Sequence, residues 1–162
     1  MSADNEVTVF DAVIKTPFCY LGLVLEDNEL AGTEYLSADT KPFNSSNPEI
    51  AAIVKQIQAY AEDSSLIFRL PVKTRGTEFQ RRVWKKLTEI PPGKVKTYGE
   101  LAKELVSSAQ AVGNACRANP IPLIIPCHRV VSASGIGGFA GTTSGYLIDI
   151  KRQLLRHEGL EF

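Results

Sequence analysis

Cysteine and histidine are scarce in this 162-residue sequence, which has three cysteines (Cys19, Cys116, Cys127) and two histidines (His128, His157). No two cysteines form a CxxC pair and the count is odd, which argues against a disulfide framework and a structural zinc site. A reducing, cytoplasmic setting fits that usage. No stretch approaches the roughly 20 apolar residues that span a bilayer. The first residues, Met1-Ser2-Ala3-Asp4-Asn5-Glu6, are polar and acidic, unlike a signal peptide. There is no Gly-rich phosphate loop, Asp/Glu metal cluster or cofactor fingerprint. These absences lead us to expect a soluble protein that needs no metal or cofactor, with one good core or two small lobes sharing an interface.

Charge is present but unevenly placed. Lys plus Arg and Asp plus Glu number 18 each, so the formal net charge is zero. Residues 1–71 carry four basic side chains (Lys15, Lys41, Lys55, Arg69) against eleven acidic ones, a balance of −7. Residues 72–162 carry the other fourteen basic and seven acidic, a balance of +7. This division points either to a polyanion as partner of the second half or to two lobes that complement each other electrostatically.

The residue pattern divides at the same place. Residues 6–15 and 19–26 are rich in Val, Ile, Leu, Phe and Tyr, and Asp27-Asn28 reads as a hairpin tip before a third strand over 29–36. Asn47 then Pro48 open a helix with Ile50, Ile53, Val54, Ile57 and Tyr60 at helical spacing. A short strand, Leu66 to Leu70, closes a βββαβ lobe that shows no catalytic grouping and reads as scaffold. Beyond it, Thr77-Glu78-Phe79-Gln80 and Thr97-Tyr98-Gly99-Glu100 are capping boxes, and Pro91-Pro92-Gly93 ends the first of the helices they open. The second helix runs to about Leu105, Val106-Ser107-Ser108 makes a tight turn, and a third helix covers about Ala109 to Arg117. Two short helices joined in this way have the layout of a helix-turn-helix.

Ile124-Ile125-Pro126-Cys127-His128-Arg129-Val130 sets a thiol beside an imidazole in an apolar, strand-like run. A thiol of pKa near ~8.5 is only a few per cent ionised at neutral pH, so a nucleophilic Cys127 needs a base. His128 can serve as that base, through a water, because neighbouring residues in extended chain point to opposite sides. Glu158 either orients the imidazole as the acid of a Cys-His-acid triad or simply ends a helix before Gly159. Cys19 and Cys116 read as small buried hydrophobes.

Tyr98-Gly99-Glu100-Leu101-Ala102, Ala111-Val112-Gly113, Asn119-Pro120, Pro126-Cys127-His128-Arg129-Val130 and Leu154-Leu155-Arg156-His157-Glu158-Gly159 lie in an order and spacing that resemble the O6-alkylguanine-DNA alkyltransferases. The resemblance is dense from about Gly76 to Gly159 and mostly architectural before it. It implies an α+β fold, with a ribonuclease H-like βββαβ lobe over 1–71 and a helical DNA-binding and alkyl-transfer domain with a helix-turn-helix over 72–162. It also implies a single-turnover repair reaction without a cofactor, in which Cys127 takes the alkyl group from O6 of guanine, and from O4-alkylthymine, after the base is flipped out of double-stranded DNA. Tyr98 would donate to guanine N3, the backbone around Cys127, Val130, Phe139 and Ala140 would read the base, and Asn119 would tie the helix pair to the active-site segment. Ala109, Ala111 and Gly113 would allow close approach to the minor groove, with Arg117 on the same helix. The implied protein is a monomer in solution that can assemble on DNA.

The sequence departs from the family pattern at two places. Gln110 stands where the family has an arginine that fills the gap left by the flipped base, and Gln lacks that charge and stacking plane. Alternatively, Ser107-Ser108-Ala109-Gln110 is a capping box that turns the Gln side chain back on the backbone. The segment between Phe139 and Lys151 is longer than in many relatives and would form one wall of the pocket. Two other functions fit the same residues: a non-enzymatic alkyl-base binder, to which the presence of Cys127 is contrary, and a cysteine hydrolase built on Cys127, His128 and Glu158.

Overall fold

The computed structural model describes residues 9–138 and 145–162. The fold is α+β, and the described residues form five α-helices and one small antiparallel sheet. Strands β1 (Ala12–Lys15), β2 (Tyr20–Glu26) and β3 (Glu29–Leu36) form a meander in that spatial order. Asp27 and Asn28 turn the β2–β3 hairpin with φ of 51° and 64°, a conformation that Asn and Asp tolerate better than most residues. Helix α1 (Pro48–Glu62) starts as expected, with the Asn47 side chain accepting from Glu49 N, and it buries Ile50, Ile53, Ile57 and Tyr60.

The strand expected over Leu66–Leu70 does not form. Leu66, Phe68 and Leu70 alternate inward with period two and pack against the core. The Gln56 side chain, however, takes up both backbone groups of Arg69, at 2.9 Å each, so no ladder runs through the segment. Its link to the sheet is one bridge between Val72 and Leu30.

Helix α2 (Glu78–Thr88) carries the expected capping box on Thr77 and Gln80 and buries Val83, Trp84 and Leu87. The Trp84 indole donates to the Ala115 carbonyl at 2.8 Å, fastening α2 to the later helix pair. After α2 the chain reaches β4 (Lys96–Thr97), then α3 (Tyr98–Leu105), whose capping box on Thr97 and Glu100 is present, then α4 (Ala109–Arg117). Between α3 and α4, Val106 caps α3 in the left-handed region at φ 53° and is 93 % exposed. Ser108, rather than Ser107, caps α4 by accepting from Ala111 N at 3.1 Å. The third residue of α4 is thus Ala111, and the capping box considered for Gln110 is not formed.

The active-site run also differs from its sequence reading. Cys127–Arg129 is one turn of 3-10 helix, and only Val130–Val131 is strand (β5), pairing in parallel with β4. Pro126 precedes the turn, and its carbonyl accepts from Arg129 N at 3.0 Å. Helix α5 (Tyr146–His157) follows and ends at Gly159 with φ 88°, as the sequence indicated. A single apolar cluster runs from Leu21 and Leu23 in the sheet, through Ile57 and Leu87, to Leu101, Val112, Ile125 and Leu154. The acidic and basic halves therefore share one core.

Candidate active site

The β4–β5 pairing sets Tyr98, at the start of α3, beside the segment that carries Cys127. Asn119, just past α4, reaches the same segment: its Nδ2 donates to the Ile125 carbonyl at 2.8 Å, and its Oδ1 accepts from Ile121 N at 3.0 Å. Helix α5 returns Glu158 to the other side of the turn. The three elements thus converge on the turn at Cys127–Arg129, whose residues are all buried.

Cys127 is 7 % exposed. Burial pushes its thiol up, while the Asn119 amide and the Lys151 ammonium pull it back down. His128 is fully buried, and its Nε2 lies 2.8 Å from Glu158 Oε2. Burial lowers the imidazole below its usual range, against the upward pull of Glu158. In the neutral ring Nε2 carries the proton, because a carboxylate oxygen can only accept. Nδ1 then presents a lone pair, and among the described residues that buried atom has no hydrogen-bond partner. Burial alone would raise the Glu158 carboxyl, but hydrogen bonds and charge from His128 and Arg129 hold it well below the usual carboxylate range.

Several groups that the sequence reading left without a role belong to this site. The Arg129 guanidinium grips Glu158 with two nitrogens, at 2.9 Å to Oε1 and 3.1 Å to Oε2, and donates to the Ile90 carbonyl at 2.8 Å. Gly93, read from sequence only as a helix stop, adopts φ 84° and donates its backbone N–H to Glu158 Oε1 at 3.1 Å. Tyr60 of α1 donates to Glu158 Oε2 at 2.6 Å. Lys151, fully buried on α5, donates to the carbonyls of Val130 (2.7 Å) and Gly138 (3.0 Å), and burial lowers it to about 8. A signal for Lys151 was available in the sequence: it shares the apolar face of α5 with Ile148, Leu154 and Leu155. Tyr60 and Gly93 gave no such signal, since a helical Tyr and a Gly after two prolines have ordinary structural uses.

Tyr98 donates weakly to the Gly138 carbonyl, at 3.3 Å, and burial pushes its phenol up to about 12. Gly137 packs on the Tyr98 ring, and a Cβ there would lie 3.0 Å from Ser132 N and 3.3 Å from the ring. Gly113 faces the opposite ring edge, where a Cβ would stand 4.0 Å away. Ala109, Gln110 and Arg117 are exposed on α4, and Ala111 and Gly113 are half-buried. Phe139 and Ala140 lie outside the described residues, as do residues 141–144 of the long segment expected to wall the pocket. Cys19 and Cys116 are partly buried, and burial raises them to about 11 and about 12, so neither is a ready thiolate.

Half of the basic side chains of residues 72–162 are exposed and outside any salt bridge among the described residues. Lys73 pairs with Asp27, and Arg75 with Glu26, across the two halves. Arg81, Arg82 and Arg117 are exposed and form no salt bridge among the described residues. Fold and site together define an α+β protein in which one buried cysteine adjoins a buried imidazole–carboxylate pair, beside two short helices in a basic half.

Known proteins resemble this chain in sequence and in fold. A family model described as 6-O-methylguanine DNA methyltransferase, DNA binding domain, matches residues 78–160. The methylated-DNA–protein-cysteine methyltransferase of Archaeoglobus fulgidus is 39% identical over 145 residues, which cover 87% of this chain and 93% of that protein. The crystal structure of the Mycobacterium tuberculosis O6-methylguanine methyltransferase superposes with a TM-score of 0.76 at 36% identity, covering 90% of each chain. A structure of the same mycobacterial protein in complex with DNA matches with a TM-score of 0.76 at 36% identity, covering 91% of each. The chain belongs to the O6-methylguanine-DNA methyltransferase family.

Proposed function

We propose that this protein repairs DNA by moving the alkyl group of O6-alkylguanine, and of O4-alkylthymine, onto the sulfur of Cys127, once per molecule and irreversibly. The observation that carries this reading is the state of His128, the residue after Cys127 in the chain, whose Nε2 is bound to an ionised, buried Glu158 while its buried Nδ1 has no hydrogen-bond partner among the described residues. That is the arrangement a general base for a buried thiol requires.

Cys127 gives its proton to His128 Nδ1 through a bridging water, and Glu158 holds the imidazolium without taking the proton itself. Lys151 and the Asn119 amide lower the cost of the thiolate. The sulfur attacks the alkyl carbon, the S–C bond forms as the C–O6 bond breaks, and the electron pair remains on the guanine ring. Tyr98, whose high pKa keeps it protonated, donates to N3 as that charge develops. Its present acceptor, the Gly138 carbonyl, keeps the Lys151 hydrogen bond when Tyr98 turns to the base. The guanine anion regains a proton, equal to the one His128 received, and the thioether that remains has no route back to a thiol.

Delivery of the base falls to the second half of the chain. Helices α3 and α4 act as a helix-turn-helix within a DNA-binding and alkyl-transfer unit over 72–162, while residues 1–71 form a lobe of ribonuclease H-like βββα order. Ala109, Ala111 and Gly113 let α4 approach the minor groove, and Gln110, exposed and outside any capping box, fills the space of the flipped nucleotide. Arg117, Arg81 and Arg82 meet phosphates, so binding depends on backbone charge more than on sequence. The protein acts as a cytoplasmic monomer that can assemble along DNA.

Mixing the protein with duplex DNA containing O6-methylguanine and weighing it tests the reading. Transfer appears as a stoichiometric gain of one methylene unit, about 14 Da, on Cys127. Cys127→Ser abolishes that gain and retains DNA binding. Tight binding without an adduct would instead mark a sensor, and repeated ester turnover a hydrolase.

A further inference from the structure

We propose that Tyr60, on α1 in the acidic half, is a positioning residue for the His128–Glu158 pair, so that the first lobe takes part in alkyl transfer. The inference rests on the alkyl-transfer reading above. Five donors converge on the Glu158 carboxylate. Oε1 receives Arg129 Nε and Gly93 N, and Oε2 receives an Arg129 terminal nitrogen, His128 Nε2 and the Tyr60 hydroxyl. The Tyr60 contact, at 2.6 Å, is the shortest of the five, and it bridges 98 residues of sequence. Tyr60 is fully buried, and burial together with the Glu158 charge pushes its phenol well above its usual range, so it is a donor at any working pH.

Two consequences follow from donation to the oxygen that His128 also uses. Tyr60 and Arg129 occupy two directions around Oε2, which leaves His128 a restricted approach and fixes the orientation of its ring. A donor on Oε2 also lowers the basicity of Glu158, so the carboxylate supports the imidazolium without becoming strong enough to keep it protonated before the thiol arrives.

Packing alone does not call for the hydroxyl. The Tyr60 ring meets Phe18, Phe68 and His157 at centroid distances of 6.1, 5.3 and 5.0 Å, contacts that a phenylalanine ring would keep. The register of α1 against α5 is held separately, by His157 Nε2 at 2.7 Å from the Tyr60 backbone carbonyl. Tyr60→Phe in the full chain therefore removes the donor and leaves the latch.

The test is single-turnover methyl transfer from O6-methylguanine duplex DNA across pH, for wild type, Tyr60→Phe and the packing control Phe18→Leu, each with its DNA affinity and urea midpoint. Tyr60→Phe is expected to slow transfer about tenfold or more at unchanged DNA affinity. Its acid limb should move to higher pH, because Glu158 with one donor fewer holds the imidazolium more firmly. Phe18→Leu should lower stability and leave the limb in place. If Tyr60→Phe folds poorly, Tyr60→3-fluorotyrosine, a stronger donor of similar shape, should move the limb to lower pH. An unmoved limb in the Tyr60 variants, or a rate loss matching only the unfolded fraction, overturns the role of Tyr60. Absence of a Cys127 adduct in wild type overturns the transfer reading itself, and the Tyr60 role with it.

Discussion

Arg129 and Glu158 meet as a forked pair in the interior, with Nε 2.9 Å from Oε1 and a terminal nitrogen 3.1 Å from Oε2. The pair ties the turn that carries Cys127 to the end of α5. It supplies the positive charge that lets Glu158 stay ionised beside a neutral His128.

Removing that counter-charge should be costly. Arg129→Ala is expected to lose about 3–5 kcal/mol of unfolding free energy, because it leaves a buried carboxylate unpaired. Adding Glu158→Gln should recover part of the loss, since an amide needs no counter-ion. Urea unfolding measures both, and equal losses in the single and double variants would show that Arg129 acts through Ile90 and packing alone.

Lys151 should set the pH at which Cys127 becomes reactive. Burial lowers the lysine to about 8, so it is charged below that pH and supports the thiolate there. Lys151→Met therefore raises the Cys127 pKa and moves the onset of transfer to higher pH. The rate deficit against wild type is expected to be large below pH 8 and to narrow above it, where the wild-type lysine is also neutral. A deficit constant across pH would assign Lys151 to structure alone.

Val106 is strained without benefit to packing. A left-handed L-residue costs roughly 1–2 kcal/mol, and the side chain is 93 % exposed. Val106→Gly relieves that cost and gives back about 0.4–1 kcal/mol through the unfolded chain, a net gain of about 0.5–1 kcal/mol. Thermal unfolding should shift upward by about 2 °C. A lower midpoint would mean that the turn relies on its valine.

Gln110 should limit base delivery. Gln110→Arg adds a charge and a stacking plane on the exposed start of α4. It is expected to tighten DNA binding, speed single-turnover repair and steepen the fall of affinity with salt by about one counterion. A variant that binds and repairs no better than wild type would rule out a weakened finger.

Local chemistry made much of this molecule legible before folding. Asn47-Pro48, Thr77-Gln80 and Thr97-Glu100 start helices where their own side chains satisfy the first backbone amides, and Gly159 ends α5 because it tolerates φ 88°. The resemblance of the spaced motifs to the alkyltransferases implied that Cys127, His128, Asn119 and Glu158 serve one site, which the residues taken singly left open. Leu66–Leu70 was misread because alternation reports which side chains face inward and says nothing of a backbone partner, and Gln56 had taken that place. The strand-like run at Cys127 was misread for a related reason: burial on both faces suits a buried 3-10 turn as well as a strand.

By itself the sequence determined the helices, their caps and the division of charge, all of which depend on residues close together in the chain. Only the tertiary structure decided how Glu158 is held. Its donors come from positions 60, 93, 128 and 129, and a hydrogen bond between residues up to 98 positions apart exists only once the whole core has closed around it.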